Sequence, residues 1–204
     1  MCRCGGPSVG DHEHLSEVVT RSLYDYIMHD SIRVLNGKRG ADMRAVFGRE
    51  HSRTARVESD ADDQLIMQVS FSGSVRMKTL RLACPADSTS PVEIALYVNN
   101  QVDFDSASTL KATQSFTCLA PEYHNNRVIE YPLKAHLFGN VTSLSILIKS
   151  SVGGKTSAVE FVGFTGDFLN TRRAPVITEY EVKPNVADHK TDAYWQAVGG
   201  RPGF

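Results

Sequence analysis

Two pairs of metal-binding residue types lie near the N-terminus. Cys2 and Cys4 form a C-x-C pair, and His12 and His14 form an H-x-H pair further along. Thiolates and imidazoles are ligands that Zn²⁺ and Cu⁺ prefer, so these four side chains could bind one such ion. Against this, ligands two residues apart crowd a tetrahedral site, and ordering a Gly-rich segment costs conformational entropy. The alternative is an unstructured tail, residues 1–14, with no cofactor.

An acidic group precedes the first segment of alternating apolar residues. Its four carboxylates belong to Glu58, Asp60, Asp62 and Asp63. Clustered carboxylates either bind a hard cation or solvate a turn. A Ca²⁺ loop also needs a sequence rich in carbonyl ligands, which this stretch is not, so we expect a solvated turn.

Residues 36–57 are irregular and basic, which predicts a long surface loop. Its arginines include Arg44, Arg49 and Arg53. Such a loop suits either nucleic-acid phosphates or an acidic protein surface. Phe47 is its one aromatic residue for base stacking, and the net charge of the chain is −1, so we expect no nucleic-acid partner.

Local signatures of catalysis are sparse. Gly154-Lys155-Thr156 resembles the end of a phosphate-binding loop, but Lys149 stands where that motif requires glycine. No H-E-x-x-H, G-x-G-x-x-G or C-x-x-C occurs. A scattered triad is defined by geometry and not by spacing. With that reservation, the sequence favours a protein that is not an enzyme.

The apolar pattern predicts an all-β sandwich. Leu65, Met67, Val69 and Phe71 alternate with polar residues, as expected for a half-buried strand. Further strands are predicted over 75–84, 92–98, 114–119, 129–137, 144–148 and 159–164, with a turn at 72–74 and a bulge near residues 78–79. Pro132 places its strand at an edge or splits it. Helical spacing over residues 16–28 predicts one short N-terminal helix.

Length and composition suggest one core and an intracellular protein. A chain of 204 residues fits a single β-rich domain, with tails at residues 1–14 and 184–204 around an ordered region at 15–183. No apolar run of 18 or more residues and no signal peptide is evident, so we expect a cytoplasmic and nuclear location without membrane association. Cys84 and Cys118 fit buried thiols better than a disulfide.

Several motifs, in order, resemble the PITH domain family. They are Leu23-Tyr24-Asp25-Tyr26-Ile27, Val34-Leu35-Asn36, residues 58–65, Phe104-Asp105, residues 140–144 and residues 161–166. The resemblance implies a jelly-roll β-sandwich like that of galactose-binding domains. It also implies a non-enzymatic adaptor, expected to be monomeric, that docks on the regulatory particle of the 26S proteasome. Neither sugar binding nor the reductase activity of thioredoxin-fused members is implied, since function resides in sites.

Loops and the C-terminal tail are the expected contacts with a protein partner. The candidates are Arg44, Arg49, Arg53, Asp60, Asp62, Asp63, Asp103, Phe104, Asp105, His189, Tyr194 and Trp195. An aromatic residue on a tail could anchor a partner, or it could fold back on its own sandwich. The alternative function is a metal-binding or redox-responsive protein that uses the Cys2–His14 tail. A lectin-like module is a third possibility, suggested only by fold analogy.

Overall fold

A computed structural model describes residues 21–39, 43–52, 54–124 and 127–169. Its strands are β1 (Arg21–Ser22), β2 (Arg33–Leu35), β3 (Val57–Glu58), β4 (Leu65–Ala83), β5 (Pro91–Val98), β6 (Gln114–Thr117), β7 (Ile129–Pro132), β8 (Val141–Ser151), β9 (Ala158–Val159) and β10 (Phe161–Phe168). Its helices are α1 (Met43–Val46), α2 (Phe104–Thr109) and α3 (Pro121–His124), with two 3₁₀ turns at Tyr24–Tyr26 and His29–Ser31. Every strand pair is antiparallel.

The long strand β4 lies at the centre of an eight-stranded sheet, and its two halves pair with different strands. Its first half pairs with β2 and β8, and β8 continues through β5 to β6. Its second half lies between β10 and β7, and β10 pairs in turn with β1. Both halves turn alternate apolar side chains into one core, including Leu65, Met67, Leu80 and Leu82. The predicted β-sandwich is therefore confirmed.

The predicted bulge in β4 is confirmed, and the predicted turn before it is wrong. Thr79 pairs with Thr165 and Met77 with Gly166, which leaves Lys78 as the extra residue. This bulge lets Met77 and Leu80 both face the core although they are three positions apart, an odd spacing that would place them on opposite faces of a regular strand. Residues 72–74 continue the strand, with a register shift opposite β8. This short stretch of small residues lies where β4 changes from its first set of partner strands to its second.

The predicted N-terminal helix is wrong over residues 21–28. Residues 21–22 pair with β10, and a 3₁₀ turn follows. The Leu23 amide donates to the carbonyl oxygen of Phe164 at 2.9 Å, and Ile27 bridges to Phe71. Leu23 and Ile27 are both buried, so their helical spacing was a true signal of burial. The sheet edge, however, takes the backbone hydrogen bonds that a helix would need. Residues 16–20 lie outside the described ranges.

The segment 36–57 is not a simple surface loop. It contains α1 and leads into β3, which pairs with β9. Val46 and Phe47 are fully buried, and the ring of Phe47 stacks on that of Phe164 with centroids 6.4 Å apart. Burial of these two apolar side chains holds the segment against the sandwich.

Three further strand predictions are confirmed in position. The segment 92–98 forms β5, 144–148 lies within β8, and 159–164 spans β9 and the start of β10. The strand predicted over 129–137 ends at Pro132, which has no amide hydrogen to donate to a continuing ladder. The stretch 99–113 reads as a polar loop in the sequence, but it contains the helix α2.

Candidate functional site

The sheet of β2, β4, β8 and β5 has apolar side chains on both faces. Ile94 and Leu96 face the main core, whereas the alternate residues Ala95 and Tyr97 join a second cluster on the opposite face. That second cluster also contains Ile66, Val102 and Leu147, with Leu35, Phe104, Ala107 and Ala112 packed against it. The helix α2 thus covers the outer face of this sheet.

A capping box fixes the start of α2. The Asp103 carboxylate accepts a hydrogen bond from the Ser106 amide at 2.8 Å, and the Ser106 hydroxyl accepts one from the Asp103 amide at 2.9 Å. The hydrogen bond from the Ser106 side chain, followed by the one from its amide, lowers the pKa of Asp103. The Gln68 side-chain amide also donates to the Val102 carbonyl at 2.9 Å. These bonds hold Phe104 in the first turn of the helix.

Phe104 and Gln64 border two adjacent open depressions on this face. The first has a volume of about 440 Å³ and is also lined by Asn36 and Asp62. The second, of about 330 Å³, adds these lining residues: Ala107, Ser108, Leu147 and Lys149. We call the two together the Phe104 groove. Phe104 is partly buried, so one side of its ring packs on the sheet while part stays accessible.

Asn36 organises the acidic turn that forms one wall of the groove. Its side-chain amide donates to the Asp62 carboxylate at 2.7 Å and to the Gln64 carbonyl at 2.6 Å. Its carbonyl oxygen Oδ1 accepts from the Ala61 amide at 3.0 Å. The Asp63 carboxylate, in turn, accepts from the Ser151 amide at 3.0 Å. Within the described ranges, no three His, Cys, Asp or Glu residues are placed to hold a metal ion.

Several described cations of segment 36–57 form ion pairs within the chain. Arg44 lies 3.0 Å from the Asp30 carboxylate, and Lys38 lies 2.7 Å from that of Glu58. Arg49 forms an ion pair with Asp25 and stacks over the ring of Tyr24. The hydrogen bond from Lys38 is the main cause that lowers the pKa of Glu58. Nearby carboxylates therefore neutralise much of the positive charge that was predicted to bind a partner.

The structure thus brings together some of the predicted contact residues and not others. Asp62 and Phe104 line one depression. Asp60 and Asp105, which lie close to these two residues in the sequence, are exposed. Arg44 and Arg49 do not line either depression. Other candidates lie outside the described residues: Cys2, Cys4, His12, His14, Arg53, His189, Tyr194 and Trp195. Their roles stay predictions. Sequence reasoning missed Asn36, Gln64 and Leu147 as groove residues.

Residues 6–10 have the G-x-S-x-G spacing of a serine-hydrolase nucleophile elbow, with Ser8 at its centre. A nucleophile elbow needs a strand before such a serine and a helix after it. Residues 6–10 lie outside the described ranges, and the sequence around them has neither pattern. The motif therefore adds no support for catalysis.

Buried polar groups elsewhere in the described sandwich are poorly suited to chemistry. Burial raises the pKa of Cys118 to about 12 and that of Cys84 well above its usual range, so both thiols stay protonated. Burial likewise raises the pKa of Tyr131 and lowers that of His124. The His124 ring is fully buried, with Nε2 3.2 Å from the Leu119 carbonyl oxygen. No described helix is long and apolar enough to cross a membrane.

Solved structures with a similar fold are carbohydrate-binding modules. The CBM32-1 and CBM32-2 domains of Clostridium perfringens ZmpB, solved with GalNAc, match with a TM-score of 0.53 and 12% identity, covering 71% of this chain and 35% of that one. The family 32 module of C. perfringens NanJ, solved with galactose, matches with a TM-score of 0.50 and 10% identity, covering 69% and 98%. At such low identity the likeness shows a galactose-binding-like sandwich and nothing about ligands.

Curated relatives match over nearly their whole length. PITH domain-containing protein 1 of Danio rerio is 34% identical over 188 residues, which is 90% of this chain and 88% of the relative. Its human counterpart is 33% identical, with 93% and 89% covered, and PITH domain-containing protein P35G2.02 of Schizosaccharomyces pombe is 31% identical, with 82% and 83% covered. The family model of the PITH domain matches residues 13–184. This chain therefore belongs to the PITH domain family.

Proposed function

We propose that this chain is a non-enzymatic adaptor that associates with the regulatory particle of the 26S proteasome. Its membership in the PITH domain family carries the proposal, because the partner is the one that the family resemblance implies. A protein-binding module fits the family and the galactose-binding-like sandwich. We also propose that it works as a monomer in the cytoplasm and nucleus.

The Phe104 groove is the surface we assign to this association. Protein interfaces concentrate their binding energy in a partly buried aromatic anchor surrounded by polar groups. Phe104 has this character, with Leu147 and Ala107 beside it and Asp62 and Gln64 at the rim. The sheet and the capping box hold the ring, so little conformational entropy is lost on binding.

The buried thiols support a binding role over a catalytic one. Catalytic cysteines are partly exposed and have lowered pKa values. Cys84 and Cys118 are both buried and both have raised pKa values. A nucleophile of this kind would have to be found outside the described residues.

Co-purification from cell extract tests the proposal. Tagged full-length chain is compared with Phe104→Ala and with Tyr123→Ala, whose ring is 61% exposed but lies outside the groove. Quantitative mass spectrometry of recovered regulatory-particle subunits is the readout. We expect recovery with the wild type and the Tyr123 variant and a loss of most subunits with the Phe104 variant. Absence of these subunits from the wild-type sample would contradict the proposal.

The C-terminal tail is tested in the same way. A chain that lacks residues 184–204 loses His189, Tyr194 and Trp195. If these residues add contacts, recovery of the regulatory particle falls below that of the full chain. Unchanged recovery would remove the tail from the proposal and leave the groove as its surface.

The metal-binding alternative predicts a different result. If Cys2, Cys4, His12 and His14 bind one Zn²⁺ or Cu⁺, native mass spectrometry of protein from metal-replete cells shows the mass of one ion. Replacing the two cysteines with serine then removes it. A wild-type mass without metal would contradict this alternative.

A further inference from the structure

Carboxylates dominate the charge around the Phe104 groove. Asp62 lines it, Asp105 follows Phe104 on the first turn of α2, and Asp60 lies on the turn that Asn36 organises. All three aspartates are exposed. Within the described ranges, neither the Asp60 nor the Asp105 carboxylate makes a hydrogen bond or an ion pair.

Among the residues that the structure describes, Lys149 and Arg33 are cations at the same face. Lys149 lines the second depression, but its ammonium lies 2.6 Å from the Glu93 carboxylate and is thereby neutralised. Arg33 lies on β2 two residues before Leu35, which places it on the same face of the sheet. The carboxylates outnumber these cations, so the rim carries a net negative charge. A basic ligand is therefore favoured over an acidic one.

The floor of the groove is apolar next to this acidic rim. Phe104, Ala107 and Leu147 contribute carbon surface, and Phe104 lines both depressions. Lysine and arginine side chains match such a surface because their methylene stems bury against apolar atoms while their charged ends reach carboxylates. An aromatic face also attracts a cation directly.

We infer that the groove binds an extended, lysine- or arginine-bearing segment of a protein partner, with basic side chains over Phe104 and their charges near the rim carboxylates of Asp60, Asp62 and Asp105. This inference rests on the proposed protein-binding function and names the chemistry of the segment bound. A second copy of this chain fits less well, because Lys38, Arg44 and Arg49 are already in ion pairs.

The test is a titration of ¹⁵N-labelled full-length chain with the peptide Ac-Lys-Leu-Lys-Leu-Lys-NH₂, followed by NMR. We expect shift changes at the amides of Gln64, Phe104, Ala107 and Leu147, which line the groove. The charge-inverted peptide Ac-Glu-Leu-Glu-Leu-Glu-NH₂ should leave them unchanged. Affinity for the basic peptide should fall as salt is raised, since exposed charges are screened.

Variants separate charge from folding. Asp60 and Asp105 make no side-chain bonds in the described structure, so the double variant Asp60→Asn, Asp105→Asn should fold normally and bind the basic peptide about five- to tenfold more weakly, as expected for loss of two exposed charge contacts. Phe104→Leu keeps apolar packing and should also weaken binding. Equal binding of both peptides, no shift at the groove at millimolar peptide, or concentration-dependent groove shifts without peptide would each overturn the inference.

The peptide experiment contains no proteasome, so the two proposals fail separately. Peptide binding without association to the regulatory particle would remove only the named partner. Association that does not depend on Phe104, together with no peptide binding, would remove the groove as the binding surface and the inference about its ligand, but not the association itself.

Discussion

Replacing Asn36 with alanine should destabilise the fold and loosen the groove together. Asn36 has a φ angle of 63°, in the left-handed region that asparagine tolerates better than most residues. Its side chain makes three hydrogen bonds, to Asp62, to the Gln64 carbonyl and from the Ala61 amide. Alanine keeps the backbone position but loses all three bonds.

The size of the effect follows from these contacts. Each lost hydrogen bond costs about 0.5 to 1.5 kcal/mol net, with the lower end appropriate for exposed groups. Holding alanine in the left-handed backbone conformation destabilises the folded state by about 1 kcal/mol more. We therefore expect Asn36→Ala to lower the free energy of unfolding by about 2.5 to 4 kcal/mol. Asn36→Gly loses the same bonds without the steric cost, so it should be about 1 kcal/mol more stable than the alanine variant.

Equilibrium unfolding in urea measures both variants. Asn99 provides a matched control, since its φ is 56° and its Oδ1 accepts bonds from the Thr142 amide at 2.8 Å and hydroxyl at 3.0 Å. Asn99→Ala should cost a similar free energy but leave the basic-peptide affinity unchanged, whereas Asn36→Ala weakens it. A loss below about 0.5 kcal/mol for Asn36→Ala, or a glycine variant less stable than the alanine variant, would refute the reasoning.

Three further predictions concern backbone space and buried titratable groups. A Cβ at Gly166 would lie 2.0 Å from a backbone oxygen of the opposing strand, so Gly166→Ala should lower the free energy of unfolding in urea by well over ~3 kcal/mol. Gly154 has a φ of 62° but faces open space, so Gly154→Ala should lower it by only about 1 kcal/mol. Equal losses for the two variants would contradict this prediction. Because burial lowers the pKa of His124, the unfolded chain binds a proton at this histidine at a higher pH than the folded chain does. As the pH is lowered below ~6.5, the free energy of unfolding should therefore fall by up to about 1.4 kcal/mol per pH unit. His124→Gln should flatten that slope, and an unchanged pH profile would argue against this explanation. With the two N-terminal cysteines replaced by serine, Cys84 and Cys118 should react with iodoacetamide at pH 8 only after urea is added, and rapid labelling of the native chain would show that they are not buried.

Local patterns in the sequence were sufficient to predict the longer strands β5, β8 and β10, but not the short strands β1, β2 and β3. The bulge in β4 was predictable because Met77 and Leu80 are out of phase for a regular strand, and only an extra residue places both in the core. The helix α2 was missed because its capping pair, Asp103 and Ser106, lacks the glutamate of the usual signature. Its apolar face becomes visible only when it packs on the sheet.

The candidate site was less predictable because it depends on contacts between distant segments. Asp62 and Phe104 were each singled out in the sequence, but their position around one depression follows from the path of the chain. The basic segment was overvalued for the same reason, since Asp25 and Asp30, which pair with its arginines, come from an earlier segment. Charge counted along a chain does not reveal which charges remain free.

The affinity of the purified full-length chain for the purified 26S regulatory particle tests the central claim most directly. A fluorescent label on the chain and a titration followed by anisotropy give the Kd of wild type, Phe104→Ala and Tyr123→Ala. We expect saturable binding that weakens about tenfold or more in the Phe104 variant, a loss of about 1.4 kcal/mol, and an unchanged Kd for the Tyr123 variant. No saturable binding by the wild type, or the same Kd for the Phe104 variant, would contradict the account.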